Sequence, residues 1–138
     1  MKVRELIMGF ERDSLVGVAI MLWATDPDEP HRLVTPFLSA SVAAAMDMPV
    51  EMYFTARSVR LLVPGVAQAL KASRSATRDV YAVMQEAAEH GVRFFACSEA
   101  LNALGLAGQA LIPECAGRGG VVQFMERAAR PDWRTLVF

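Results

Sequence analysis

Leu15-Val-Gly-Val-Ala-Ile-Met-Leu-Trp-Ala24 carries no charge along its whole length, and its reading decides the fold. A continuous apolar run with β-branched residues has the pattern of a strand covered on both faces, the arrangement of a parallel sheet. The run is expected to be the central strand. Downstream, residues 25–34 (TDPDEPHRLV) hold two prolines and four charged side chains, which predicts a loop at the carboxyl end of that strand. Thr35 before Pro36 reads as an N-cap followed by the residue best suited to the first helical position. Phe37, Ser41, Ala44 and Ala45 then share one face, so a helix is predicted over residues 36–47. Pro49 ends it, and Val50-Glu-Met-Tyr-Phe-Thr55 returns to β-type composition, completing a strand, helix, strand unit.

Farther out, residues 56–74 mix Arg57, Arg60, Pro64 and Gly65 with apolar residues and predict a loop with a short helix after Pro64. Ser75 is expected to cap a helix reaching about His90, with Val80, Val83, Met84, Ala87 and Ala88 as its apolar stripe and Gly91 as its left-handed stop. Val92-Arg-Phe-Phe-Ala96 reads as a third strand and residues 98–106 as a short helix, which places Cys97 at the junction. Residues 110–113 are expected to form a short fourth strand. Gly117-Arg-Gly-Gly120 should then turn into a helix over residues 121–129, and residues 133–138 close with a last strand. This alternation predicts an α/β fold, a three-layer α/β/α sandwich on a mostly parallel sheet of about five strands. Upstream, Val3, Leu6, Ile7 and Phe10 fall at helical spacing, so residues 1–14 are expected to form an N-terminal arm and residues 15–138 a single domain.

Composition narrows the function classes. The chain has 138 residues, one domain's worth, and 54% hydrophobic against 21% charged residues, enough apolar content to bury a core. Fourteen Lys and Arg against fifteen Asp and Glu leave a net charge of −1, which argues against nucleic acid as a partner. Residues 15–24 are about half of the ~20 needed to cross a bilayer, so no membrane association is expected. The leader carries Glu5, Glu11 and Asp13 beside Lys2, Arg4 and Arg12, unlike a secretory signal, and a cytoplasmic location follows as the expectation. Cys97 and Cys115 lie far apart and far from His31 and His90, with no zinc or disulfide spacing. Asp26, Asp28 and His31 read as a solvated turn rather than metal ligands, and Gly117, Gly119 and Gly120 lack a dinucleotide or phosphate-loop pattern. Neither metal nor cofactor is expected.

The chemistry is expected at Cys97. Reacting groups of open parallel sheets gather at the carboxyl ends of strands, where the following helices aim their N-terminal amides. Those amides favour the thiolate, the nucleophilic form of cysteine. The competing reading is a small buried hydrophobe. Ser98 and Glu99 open the next helix, the first as a cap and the second as a complement to the dipole, and so orient the cysteine's surroundings. Arg57 and Arg60, just beyond the second strand, are candidates for stabilising a thiolate or an anionic sulfur donor, with solvated loop charges as the alternative. Cys115 is a candidate resolving thiol if the third and fourth strands are neighbours.

The run Val-Arg-Phe-Phe-Ala-Cys97-Ser-Glu-Ala-Leu101, followed by Leu104-Gly-Leu106 and Leu111-Ile-Pro-Glu114, resembles the DsrE/DsrF family of sulfur-relay proteins. The resemblance covers most of residues 15–138, from the glycine-bearing first strand to the terminal Val-Phe strand, and leaves residues 1–14 outside. It implies a parallel-sheet sandwich assembled as a homo-oligomer, a trimer or hexamer. It also implies that Cys97 accepts sulfane sulfur as a persulfide and passes it on, without a cofactor, between donor and acceptor proteins or small sulfane-sulfur compounds. The expectation is a sulfur carrier or sulfurtransferase, with Cys97 catalytic and Ser98, Glu99, Arg57 and Arg60 around the thiolate or its substrate. Two other readings stay open: a non-catalytic oligomeric binding or scaffold protein of the same fold, and a redox protein cycling Cys97 and Cys115.

Overall fold

The apolar run forms β1 (Gly17–Leu22), held between two parallel neighbours. Gly17 is required there, because a Cβ at this position would fall 2.7 Å from the Trp133 ring and 2.8 Å from the Pro49 carbonyl oxygen. The structure, a computed structural model, describes residues 15–138; the predicted arm, residues 1–14, lies outside them. After β1 come α1 (Val34–Ala45), β2 (Val50–Phe54), two 3-10 segments (Ala56–Leu62 and Ala67–Ala69) and α2 (Val80–Glu89). The chain continues through β3 (Arg93–Ala96), α3 (Ser98–Ala103), β4 (Cys115–Arg118), α4 (Val121–Ala128) and β5 (Trp133–Val137). The sheet runs β4-β3-β2-β1-β5, parallel throughout. β1 is thus an inner strand, but the middle position belongs to β2.

Helices cover both faces, as the alternation of elements predicts. On the first face, Val18, Ile20, Leu22, Val50, Met52, Phe54, Phe94 and Ala96 of the strands pack against Phe37 and Ala40 of α1 and Val80, Met84 and Ala87 of α2. On the second face α4 lies over β1 and β5, and its Phe124 joins Ala19, Tyr53, Phe95 and Trp133. The chain therefore steps from β1 to β4 in one direction, then returns through α4 to set β5 beside β1. Among the described residues no helix is long and apolar enough to cross a membrane.

Several boundaries differ from expectation for local reasons. α1 begins at Val34 with Leu33 as N-cap, not at Pro36 with Thr35, because a 3-10 turn (Pro30–Arg32) leaves Leu33 already helical and winds straight into the helix. α2 is capped by Asp79, not Ser75: the Asp79 carboxylate accepts from the Ala82 N–H at 2.8 Å, immediately before the apolar stripe begins. Residues 56–62 wind into a 3-10 segment ahead of Pro64, where a loop was expected. It is pinned by the Ser58 hydroxyl, which donates to the Leu22 and Thr55 carbonyl oxygens. The fourth strand is Cys115–Arg118 rather than residues 110–113. Ile112 is instead buried, and its N–H donates to the Leu62 carbonyl oxygen at 2.8 Å, away from the sheet.

Candidate functional site

Cys97 stands where β3 ends and α3 begins. Its N–H donates to the Phe54 carbonyl oxygen at 3.0 Å, one further bond along the β2–β3 ladder. Its own carbonyl accepts from the Leu101 N–H at 3.1 Å, the first bond of α3. Cys97 is therefore the N-cap residue, with extended backbone (φ −70°, ψ 117°), and no side chain caps the helix. Ser98, expected as the cap, is instead the first residue inside α3: the residue tied to the end of the sheet keeps strand-like backbone, and the helix starts one position later. Glu99 occupies the first turn, where a carboxylate complements the helix dipole.

A second helix start meets the same sulfur. The Gly119 N–H donates to the Ala96 carbonyl oxygen at 3.0 Å, carrying the β3–β4 pairing on until Gly120, the N-cap of α4, lies against the cysteine. A Cβ on Gly120 would sit 3.3 Å from the Cys97 Sγ. Around this contact is a cleft of about 210 Å³ lined by Cys97, Ser98, Glu99, Gly120, Val121 and Val122. Cys97 is 9% exposed, so its sulfur is sheltered at the cleft wall rather than displayed. The volume suits the tip of a thiol or persulfide and is below that of sites for larger organic ligands. Helix starts carry unpaired amides and attract negative charge, and the two that converge here lack side-chain caps. The sulfur thus lies where the two helix starts meet.

α4 is held in this position largely by polar contacts. Its one buried residue is Phe124, whose ring meets Tyr53 edge-on at 5.9 Å. One turn on, Arg127 donates to the two carboxylate oxygens of Glu51, from Nε at 3.1 Å and Nη2 at 2.8 Å, and its guanidinium lies 4.4 Å from the Trp133 ring centre. The Tyr53 hydroxyl donates to the same carboxylate. Glu51 is only 4% exposed. Burial by itself pushes the Glu51 carboxyl up, but Arg127 and Tyr53 outweigh it and hold the group below its ordinary value. Gly120, Val121, Val122 and this anchoring pair were not singled out from the sequence for the site. The available signal was the Gly119-Gly120 pair ahead of a helix, which reads equally well as a turn.

The structure brings Cys97, Ser98 and Glu99 together but not Arg57 and Arg60. Those line a separate opening of about 450 Å³ with Asp28, Val63, Val66, Leu104 and Leu106. Arg57 is engaged by Asp26 at 2.6 Å and Asp28 at 2.5 Å, and Arg60 approaches Asp28 at 3.5 Å. Burial pushes the Asp26 carboxyl up, but the Asp28 backbone N–H and the two arginines together outweigh it and hold the group below its ordinary value. Cys115 is placed away from Cys97 as well. It pairs with Phe94, three residues back along β3, which separates the two cysteines by roughly 10 Å in the strand direction. Bridging needs Cα atoms within about 7 Å, so the dithiol reading fails on register, and both thiols are free.

Comparison with known proteins bears on the family and the fold. A family model described as DsrE/DsrF-like matches residues 18–135, which reach into all five strands. The chain belongs to the DsrE/DsrF-like family. Its coarse role is therefore that of a sulfur-relay protein. No curated protein matches the chain. Among solved structures it is similar to the ychN protein of E. coli, with a TM-score of 0.70 at 13% identity over 90% of this chain and 100% of that one. It is also similar to MTH1491 of Methanobacterium thermoautotrophicum, with a TM-score of 0.61 at 19% identity over 89% of this chain and 99% of that one. At these identities the two structures establish the DsrE-like fold.

Proposed function

We infer that this DsrE/DsrF-like protein is a sulfur carrier or sulfurtransferase whose Cys97 accepts sulfane sulfur as a persulfide and hands it to a partner. The observation that carries the reading is the placement of the Cys97 sulfur between the starts of α3 and α4, in a cleft the size of its cargo. In the loading step the Cys97 thiolate attacks the outer sulfur of a donor persulfide, R–S–SH. A new S–S bond forms at Cys97, the donor's S–S bond breaks, and R–S⁻ leaves, so no external oxidant is consumed. Unloading is the same exchange in the other direction, with an acceptor thiolate attacking the outer sulfur and Cys97 departing as thiolate. Both exchanges take place at the wall where the starts of α3 and α4 meet the sulfur.

Cyanide tests the transfer half. It should strip the outer sulfur from the loaded chain as thiocyanate, about one equivalent per chain, and Cys97→Ser should release none. Equal release from the variant would reject Cys97 as the carrier. The non-catalytic scaffold is favoured by a single observation, the shelter of Cys97, and it requires a thiol that alkylating agents do not modify in the folded chain. We also assign the chain to the cytoplasm and to a homo-oligomer. Val121, Val122 and Met125 of α4 and Trp23 beyond β1 are exposed apolar side chains, with Val122 at 77%, and self-association would cover such residues. Light scattering should return a multiple of 15.1 kDa, and a monomer would contradict the assembly.

A further inference from the structure

Around Cys97 the cleft lining carries a single acidic side chain and no basic one. Ser98, Gly120, Val121 and Val122 are neutral, and Glu99, in the first turn of α3, brings a full negative charge. Glu99 is solvent-exposed, and among the described residues its carboxylate meets no cation and no hydrogen-bond donor. An acid in the first turn of a helix is accounted for by the helix dipole. Here, however, α3 is only six residues long, and the same side chain borders the opening through which a partner's sulfur must reach Cys97, itself 9% exposed.

The basic side chains nearby are turned elsewhere. Arg127 is engaged by Glu51, and Arg93 lies over the Phe95 ring at the start of β3, the end remote from Cys97. Arg118 sits beside Ala96 across the β3–β4 pair, and Ala96 belongs to the core of the first face, so Arg118 stands on that face while α4 lies on the second. Arg57 and Arg60 line the separate opening and are held by Asp26 and Asp28. The uncapped starts of α3 and α4 contribute partial charges that fall off within a turn, whereas the Glu99 carboxylate stands at the mouth, within reach of an incoming group.

We propose that Glu99 is a specificity-determining residue that selects partner cysteines flanked by lysine or arginine. The proposal rests on the sulfur-carrier reading and adds to it the chemistry of the partner. The exchange itself is unchanged: the Cys97 thiolate attacks the outer sulfur of the partner's persulfide, a new S–S bond forms at Cys97, and the partner's thiolate leaves while its flanking cation lies beside Glu99. A partner cysteine flanked by acids meets like charge at the same point and exchanges more slowly.

Two short peptides test this on the full chain, each with its cysteine activated as the 2-thiopyridyl disulfide, one with lysine on either side of that cysteine and the other with glutamate. Attack by the Cys97 thiolate forms a mixed disulfide and releases pyridine-2-thione, whose absorbance gives the rate; Cys97→Ser serves as the blank and peptide mass spectrometry confirms attachment at Cys97. At low salt the wild type should react with the lysine peptide about tenfold faster than with the glutamate peptide, and Glu99→Gln should reduce that ratio to about twofold. Glu99→Asp should keep most of the preference. Glu89→Gln, an exposed change of the same charge on α2 and outside the cleft, should keep all of it. Salt at about 1 M should shrink the wild-type preference. An equal ratio in the wild type and Glu99→Gln, or no reaction at Cys97 with either peptide, would overturn the proposal. The sulfur-carrier reading fails separately: selective exchange without uptake of sulfane sulfur rejects the carrier and leaves the charge preference, and uptake with no dependence on Glu99 does the reverse.

Discussion

The two faces of the sheet are built by different rules. The first is closed by α1 and α2 around an apolar cluster in which Phe37, Phe54 and Phe94 meet at ring-centre distances of 5.3 to 6.0 Å. Among the described residues the second is closed by α4, through one phenylalanine and the Glu51–Arg127 pair. An apolar interface is non-directional, whereas a bidentate ion pair fixes a helix in one register. The candidate site draws on the second kind: α4 presents Gly120 to Cys97 and must be placed to within a fraction of an ångström. The first face supplies stability, and the second supplies position.

That contrast is broken most severely from the first face. Phe94→Ala, in a fully buried ring cluster, should cost about 4 kcal/mol in urea denaturation, and Phe124→Ala on the second face about 3 kcal/mol. A larger loss at Phe124 would reverse the assignment of the faces. Next in size is the pair itself. Arg127→Met leaves the Glu51 carboxylate buried without its cation and should cost about 3 kcal/mol, most of it recovered when Glu51→Gln is added. Additive losses in the double variant would mean the two side chains do not act as a unit.

Acid sharpens the same point. The Glu51 carboxyl titrates below 4.5 in the folded chain, so the unfolded chain binds more protons in that range. The pair's stabilisation is complete above about pH 4.5 and is lost as pH falls through the lowered folded value. Glu51→Gln should flatten this acid limb of the stability profile, and an unchanged limb would place the titration elsewhere.

Smaller effects are expected at the site's edge. Gly120→Ala forces a methyl to within 3.3 Å of the Cys97 sulfur and should slow persulfide loading about tenfold while costing less than about 1 kcal/mol of stability. Wild-type loading rates in this variant would show that α4 does not define the cleft. Arg57→Gln, in the other opening and already occupied by Asp26 and Asp28, should leave loading unchanged, and a slowed rate would bring that arginine back to the thiolate.

The first face was legible in the sequence because it is written in apolar residues at regular spacing, as in residues 15–24 and the stripe from Val80 to Ala88. Cys97 was legible for a similar reason, since a strand followed by helix-forming residues fixes a junction. β4 was not. Cys115-Ala-Gly-Arg118 is short, half exposed and glycine-bearing, and it is a strand because β3 offers an unpaired edge rather than because of its own composition. The second face was hidden too: Glu51 and Arg127 are 76 residues apart, and neither carries a local mark of its partner. Arg57 and Arg60 looked available beside the second strand because their acidic partners come from the loop after β1, which only the parallel pairing of β1 with β2 brings near.

The central claim concerns the sulfur of Cys97, and intact-protein mass spectrometry without reductant tests it most directly. Wild type and Cys97→Ser would each be incubated with polysulfide and weighed. Addition of a sulfur-atom mass to the wild type alone, reversed by a thiol reductant, is the expected result. Addition to both proteins, or to neither while Cys97 also resists alkylation, would contradict a persulfide carrier at this position.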